Sequence, residues 1–207
     1  MRFGLSWLLS VVPHEPLIMS VRPASRFQQF VMSEDVTLIE PTTVLRDRYD
    51  SLVREFISRG ENLIPFVLAL PYQDFEGFVR ILHEYADGLG VPVGFVSHST
   101  YWLLKEGKEI VGVSNLRHRL TPKLEREGGH IGYGVRPSER RKGYATTLLA
   151  KTLNMAKAKG LSRVLLTCGK SNIGSVRVIL RNGGVLESEE FIPERGEVVQ
   201  RFWIELG

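Results

Sequence analysis

The sequence predicts a mixed α/β domain, a central mixed sheet of about six to seven strands flanked by about four helices. Three observations carry that expectation. Stretches with apolar residues at helical spacing alternate with short β-rich runs. The breaks between them are short, polar and marked by glycine. One run, Val164-Leu165-Leu166, is apolar without alternation, as strands covered on both faces are. With 43% apolar and 24% charged residues over 207 positions, the chain matches an ordinary globular protein of one domain and excludes disordered, collagen-like and disulfide-rich classes.

Taken in order, Val36 to Glu40 reads as the first strand. Val44 to Ser58 places Leu45, Tyr49, Leu52, Val53 and Phe56 on one helical face, with Thr42 or Thr43 as cap and Gly60 as terminator. Asp74 to Leu89 repeats the pattern with Phe75, Phe78, Val79, Leu82, Tyr85 and Ala86, closed by Gly88 and Gly90. Ser99 to Lys105 and Ile110 to Arg117 form a hairpin around Glu106-Gly107-Lys108-Glu109. His130 to Val135, Tyr144 to Lys159 and Arg163 to Cys168 read as a strand, helix and strand in parallel arrangement. Ile173 to Arg181 is a fourth helix, and Val185 to Glu190 and Val198 to Glu205 are the last two strands.

The domain is expected to start near Glu34. Residues 1–33 break from this rhythm: Phe3 to Val12 is apolar, but Pro13, His14, Glu15 and Pro16 interrupt it. Three readings stay open for that stretch, namely a secretory signal, a weakly ordered extension, or a coding start placed too early with Met32 as the true first residue. The 27 basic and 23 acidic residues give +4, compatible with a phosphorylated ligand and well short of the basic stripe of a specific nucleic-acid binder. Cys168, the single cysteine, excludes internal disulfides and fits a reducing compartment, the cytoplasm. No run reaches the roughly 18 apolar residues of a membrane span, so no membrane partner is expected.

The most informative segment is Val135-Arg136-Pro137-Ser138-Glu139-Arg140-Arg141-Lys142-Gly143-Tyr144-Ala145, between a strand and a helix. The first amides of a helix lack intrahelical partners and lie at the positive end of its dipole, so an anion placed there is solvated by backbone. Gly143 and the small Ala145 allow close approach. Arg140, Arg141 and Lys142 add mobile positive charge suited to phosphate oxygens. The loop reads as a pyrophosphate site.

This arrangement, with R-x-x-G-x-A at Arg140, Gly143 and Ala145, then Asn172 opening a helix that ends in Asn182-Gly183-Gly184, resembles the acetyl-CoA-binding core of the GNAT superfamily of N-acetyltransferases. The resemblance runs from about Val36 to Leu206. The runs Gly128 to Tyr133, Arg136 to Arg140 and Asn182 to Glu187 are similar to a bacterial group described only as predicted acetyltransferases. The resemblance implies a GNAT acyl-CoA N-acyltransferase fold with acetyl-CoA as cosubstrate and no metal. Arg140, Arg141, Lys142, Gly143, Tyr144, Ala145 and Thr146 would bind the coenzyme phosphates, Val135 its pantetheine arm, and Asn172 would contact that arm. The implied acceptor is a small-molecule or peptide amine, held by the first two helices, the loop Gly60 to Tyr72 and the final hairpin. A homodimer is compatible with it. A competing reading is an acyl-CoA-binding module without turnover.

Acyl transfer needs an oxyanion donor, a proton acceptor for the amine and a proton for the thiolate. A backbone N–H near Val135, freed by a bulge in that strand, is the expected oxyanion donor. His130 is the expected general base, because its ordinary pKa is near neutrality. Strict alternation puts it on the face opposite Ile131, Tyr133 and Val135, so structural and solvent-facing roles stay open beside the catalytic one. Many family members carry a tyrosine about seven residues after the asparagine; here that position is Ile179, with Tyr133 and Tyr144 as possible substitutes. Glu139 reads as a loop residue holding the neighbouring arginines. Cys168, Trp102 and Trp203 read as packed sheet residues.

Overall fold

The computed structural model describes residues 36–207. Residues 1–33, and with them the readings made for that stretch, lie outside the described residues. Among the described residues there are seven strands: β1 (Val36–Ile39), β2 (His98–Lys105), β3 (Glu109–Arg117), β4 (Ile131–Val135), β5 (Arg163–Gly169), β6 (Val185–Ile192) and β7 (Glu197–Glu205). Four α-helices accompany them: α1 (Arg46–Ser58), α2 (Phe75–Ala86), α3 (Tyr144–Ala158) and α4 (Ile173–Arg181). Short turns of tighter or wider helix at Thr43–Leu45, Phe66–Ala69, Leu124–Gly128 and Pro137–Glu139 complete the described residues. No helix among them is long and apolar enough to cross a membrane.

The strands form two sheets, β1-β2-β3-β4 and β5-β7-β6, with antiparallel ladders throughout. Here the structure departs from the expected parallel strand–helix–strand unit, because β4 and β5 share no ladder. They meet at one point, where the His130 N–H donates to the Leu165 carbonyl at 2.7 Å and the Leu165 N–H donates to His130 Nδ1 at 2.9 Å. Leu165 is simultaneously paired with Trp203 of β7. The unbroken apolar run of β5 reflects burial on both faces and not parallel pairing.

Alternation along β2 divides the core. Trp102 and Leu104 face α1 and α2, where Tyr49, Leu52, Val53, Phe56, Phe75 and Phe78 are buried. The Tyr49 ring lies on Trp102, centroids 5.2 Å apart. Tyr101 and Leu103 face the other way, toward Leu148 and Leu149 of α3 and Ile179 of α4. α2 is capped by Asp74, whose carboxylate accepts the Gly77 N–H at 3.0 Å. The expected threonine cap on α1 is absent: Thr43–Leu45 winds as a 3-10 turn and Leu45 occupies the cap position without a side-chain bond.

Candidate functional site

The edge of β4 is where the two sheets part. At one end the Arg117 N–H donates to the His130 carbonyl, and at the other the Arg136 N–H donates to the Val111 carbonyl, both at 2.8 Å. In an antiparallel ladder successive residues point their N–H groups to opposite sides, so Ile131, Tyr133 and Val135 present theirs to the side away from β3. The bulge expected in β4 is not there; its register runs unbroken from Gly112 opposite Val135 to Leu116 opposite Ile131. The edge position alone frees the Val135 N–H. The register shift falls instead between β2 and β3, at Leu103/Leu104.

One face of β4 carries no side chain at Gly132 and Gly134. A Cβ on Gly134 would run into the Ile64 carbonyl, and one on Gly132 would lie 3.4 Å from the Pro65 side chain. The loop between α1 and α2 therefore rests directly on the strand, which only glycine permits. The loop is part of the segment Gly60 to Tyr72 that is expected to help hold the acceptor.

The loop from Arg136 to Gly143 turns the chain from β4 into α3. Arg141 (φ 63°) and Gly143 (φ 89°) both take left-handed conformations around Lys142. α3 starts with no side-chain cap and no acidic residue in its first turn, and its first intrahelical bond runs from the Thr147 N–H to the Gly143 carbonyl at 3.1 Å. The amides of Tyr144, Ala145 and Thr146 precede that bond. α2 and α4 differ, since Asp74 and Asn172 satisfy theirs.

The positive charge around that terminus is more tied down than the sequence suggests. Arg140 Nε donates to the Val135 carbonyl at 3.2 Å, while its guanidinium pairs with Glu61 and lies 5.6 Å from the centre of the Phe56 ring. Arg140 in turn holds the Glu61 carboxyl below the usual carboxylate range. Lys142 donates to Glu139 at 3.0 Å. Glu139 therefore holds Lys142, not the arginines, with Lys105 3.9 Å from its other oxygen. Arg141 forms no ion pair among the described residues. Arg136, which the sequence did not single out, is 7% exposed and lies 3.4 Å from Glu55 and 3.3 Å from Glu109.

Across the opening, Asn172 uses its side-chain oxygen to accept the Ser175 N–H at 3.1 Å. Asn182 donates to the Thr146 carbonyl at 3.3 Å, tying α4 to the first turn of α3. Ile179 is fully buried under α4. The Tyr133 hydroxyl is buried near Ser175 without a hydrogen-bond partner, and burial pushes its pKa up to about 12. Burial likewise raises the Cys168 thiol to about 11, which keeps it a packed thiol at neutral pH. Trp102 is in the core; Trp203 carries Arg163 4.2 Å over its ring.

His130 is 6% exposed. Its Nδ1 lone pair receives the Leu165 N–H, so in the neutral ring the proton sits on Nε2. Burial, reinforced by the nearby Arg117 and Arg163 charges, lowers its pKa to about 4. A second buried histidine, His98, shares this end of the sheet and bonds through Nδ1 to Asn115 at 2.8 Å. Burial lowers it to about 4 as well. Neither His98, Asn115 nor Arg117 carries a local sequence signal, because each reads as one more position of a hairpin strand.

The sequence profile of the acetyltransferase (GNAT) family matches residues 67–183. No curated protein sequence matches the chain. Among solved structures, an acetyltransferase from Salmonella typhimurium that modifies the N-terminal serine of ribosomal protein L7/L12 is 16% identical, with a TM-score of 0.61 over 84% of this chain and 96% of that one. The microcin C7 self-immunity acetyltransferase, solved with acetyl-CoA and AMP, is 16% identical, with a TM-score of 0.59 over 83% and 93%. A spermidine N-acetyltransferase from Vibrio cholerae is 17% identical, with a TM-score of 0.56 over 83% and 94%.

Proposed function

Because this chain belongs to the acetyltransferase (GNAT) family, we propose that it moves the acetyl group of acetyl-CoA directly onto a primary amine in a ternary complex in the cytoplasm. The observation that carries this reading is the start of α3, uncapped and free of acidic residues, beside the unpaired edge of β4. A pyrophosphate fits the amides of Arg141 to Thr146, with Arg141 as the cation not already engaged, while Val135 and its edge neighbours pair with an extended amide-bearing arm. Asn172 keeps its side-chain N–H group for the same arm.

Acetyl-CoA supplies an activated thioester when bound; the chain supplies position and polarity. The edge N–H groups of β4 are the donors for the carbonyl oxygen as it gains charge, a role typically worth about 3 to 4 kcal/mol of barrier. The acceptor approaches at the margin of the loop from Ile64 to Phe66, which itself covers the glycine face of β4. The amine nitrogen bonds to the carbonyl carbon, its proton passes to water, and the carbon–sulfur bond breaks. The Tyr133 hydroxyl, protonated at neutral pH, is the group we assign to return a proton to the sulfur. We assign His130 a structural part: its one lone pair at neutral pH is engaged by Leu165, and its bonds hold the point from which the cleft opens.

The test is titration of coenzyme A into the protein and into Gly143→Val, with thiol release from acetyl-CoA measured over a panel of amines. Wild type should bind and turn over, and Gly143→Val should lose at least tenfold in affinity with its fold intact, since a β-branched residue at φ 89° is strained and crowds the phosphate. Equal affinity in the variant would remove the loop assignment. Binding without thiol release from any amine would leave the non-catalytic acyl-CoA module, the reading that buried Ile179 in place of a tyrosine favours.

A further inference from the structure

We infer that the acceptor amine carries a free carboxylate and that Arg117 receives it. This rests on the acetyltransferase reading above and adds a substrate class to it. Arg117 ends β3, opposite His130. Its Nη1 donates to the Gly128 and Gly129 carbonyls at 3.0 and 2.9 Å. Of the five N–H donors of a guanidinium, the three on Nε and Nη2 make no bond among the described residues, and no carboxylate there comes within ion-pair distance. Those three donors are open to the surface, so a partly buried cation held by two peptide carbonyls has room to take an anion from solution.

The surroundings strengthen that capacity and aim it at the reacting region. The guanidinium carbon lies 5.9 Å from the centre of the Phe66 ring. Phe66 packs against Phe95 at 5.4 Å and against His98 at 5.2 Å, and His98 meets Tyr85 at 5.2 Å. This aromatic surround keeps the local dielectric low, which deepens the attraction between a guanidinium and a carboxylate. His98 Nε2 and Asn115 Oδ1, both buried, have no partner and add unspent polar capacity to the same end of the sheet. The titratable neighbours, His98 and His130, are neutral at pH 7 and provide no counter-charge.

Position links this anchor to acetyl transfer. Phe66 directly follows the Ile64-Pro65 segment that rests on Gly134 and Gly132, and Arg117 pairs with the residue that pins β4 to β5. Arg117, opposite His130, is on the same sheet face as Gly132 and Gly134, so a small ligand whose carboxylate lies on it keeps its amine close to β4, at the margin of the loop that covers those glycines. The chemistry selects an α-amino acid or a comparably short amino carboxylate. It disfavours polyamines, which bring only positive charge, and peptide N-termini, whose neighbouring carbonyl is neutral.

The experiment compares the α-amino acids with their own carboxamides as acceptors in the acetyl-CoA thiol-release assay, using the full chain. For the best acid, kcat/KM should exceed that of its amide by about 30-fold, the scale of a charge-assisted pair. Arg117→Gln should bring the acid down to the level of the amide while leaving the Kd for coenzyme A within error, and Arg117→Lys should recover part of the difference. Amides or polyamines used as well as acids by wild type would overturn the inference, as would an Arg117→Gln variant that slows acid and amide equally. If no amine supports thiol release, the acetyltransferase reading fails separately, and the Tm of the coenzyme-saturated protein with each acid and amide decides the anchor. A rise confined to acids and lost in Arg117→Gln upholds it; no acid-specific rise refutes it.

Discussion

Arg136 and Arg117 stand at opposite ends of the β3–β4 pair, and both draw a guanidinium into the body of the protein. Arg136 is surrounded by carboxylates from α1 and β3, with Glu55 and Glu109 within 3.4 Å and the Ile110 carbonyl accepting its Nε. Arg117 has two peptide carbonyls and aromatic rings. The first is a closed electrostatic unit that clamps α1 to the root of the coenzyme loop. The second is charge-unbalanced, and the imbalance lies on the acceptor side. Two similar side chains on one hairpin thus divide between holding the fold and meeting a ligand, and what separates them is the presence of a counter-ion.

The sharpest way to break that comparison is to remove each cation. Arg136→Met leaves Glu109 without its cation and Glu55 with only Arg59, 3.9 Å away, and should cost about 3 kcal/mol of unfolding free energy, read by urea denaturation. A loss below about 1 kcal/mol would mean that Arg136 is no more structural than Arg117.

Acidification sharpens it from the other end. His130 has a folded pKa of about 4, against 6.5 for the unperturbed group, so between these values the unfolded chain binds more protons. Its contribution to stability is complete above about pH 6.5 and falls as the pH drops toward 4. At pH 5 the loss from this group is about 2 kcal/mol. His130→Gln, which can still accept the Leu165 N–H, should be less stable than wild type at neutral pH yet show a flatter decline between pH 7 and 5. Parallel declines in the two proteins would count against a buried neutral imidazole.

The smallest effect belongs to the exposed third case, Arg140 with Glu61. Surface ion pairs contribute little, so Glu61→Gln should shift the denaturation midpoint hardly at all. It should release Arg140 toward the phosphate site and tighten coenzyme A binding about two- to threefold in a calorimetric titration. Weaker binding would show that Glu61 positions Arg140 for the ligand.

The sequence made one side of this site legible and left the other hidden, for a physical reason. Val135 to Thr146 is contiguous, and the properties that matter there, a left-handed glycine and an uncapped helix start, are local. The helical faces were legible for the same reason, since Tyr49, Leu52, Val53 and Phe56 announce their burial by spacing. What stayed hidden depends on partners far away in the chain. Glu61 and Glu139 decide how much of the basic run is free, and Leu165 decides what the His130 ring can do. Arg117 looked like the last residue of a strand, because the lack of a carboxylate near it is a property of the folded surroundings. The division of the sheet was hidden similarly: an apolar β5 has the same composition whether β4 or β7 pairs with it.

The single junction between β4 and β5 also sets how the cleft breathes. Parting the two sheets there breaks two hydrogen bonds, a backbone cost on the order of 2 kcal/mol, whereas parting β5 from β7 would undo a ladder of seven residue pairs. Leu149 and Leu153 of α3 belong to a core cluster that takes in residues of both sheets, which makes the helix the spine of a hinge. A long, flexible ligand laid along the open edge of β4 would therefore sit beside that junction with neither ladder having to break.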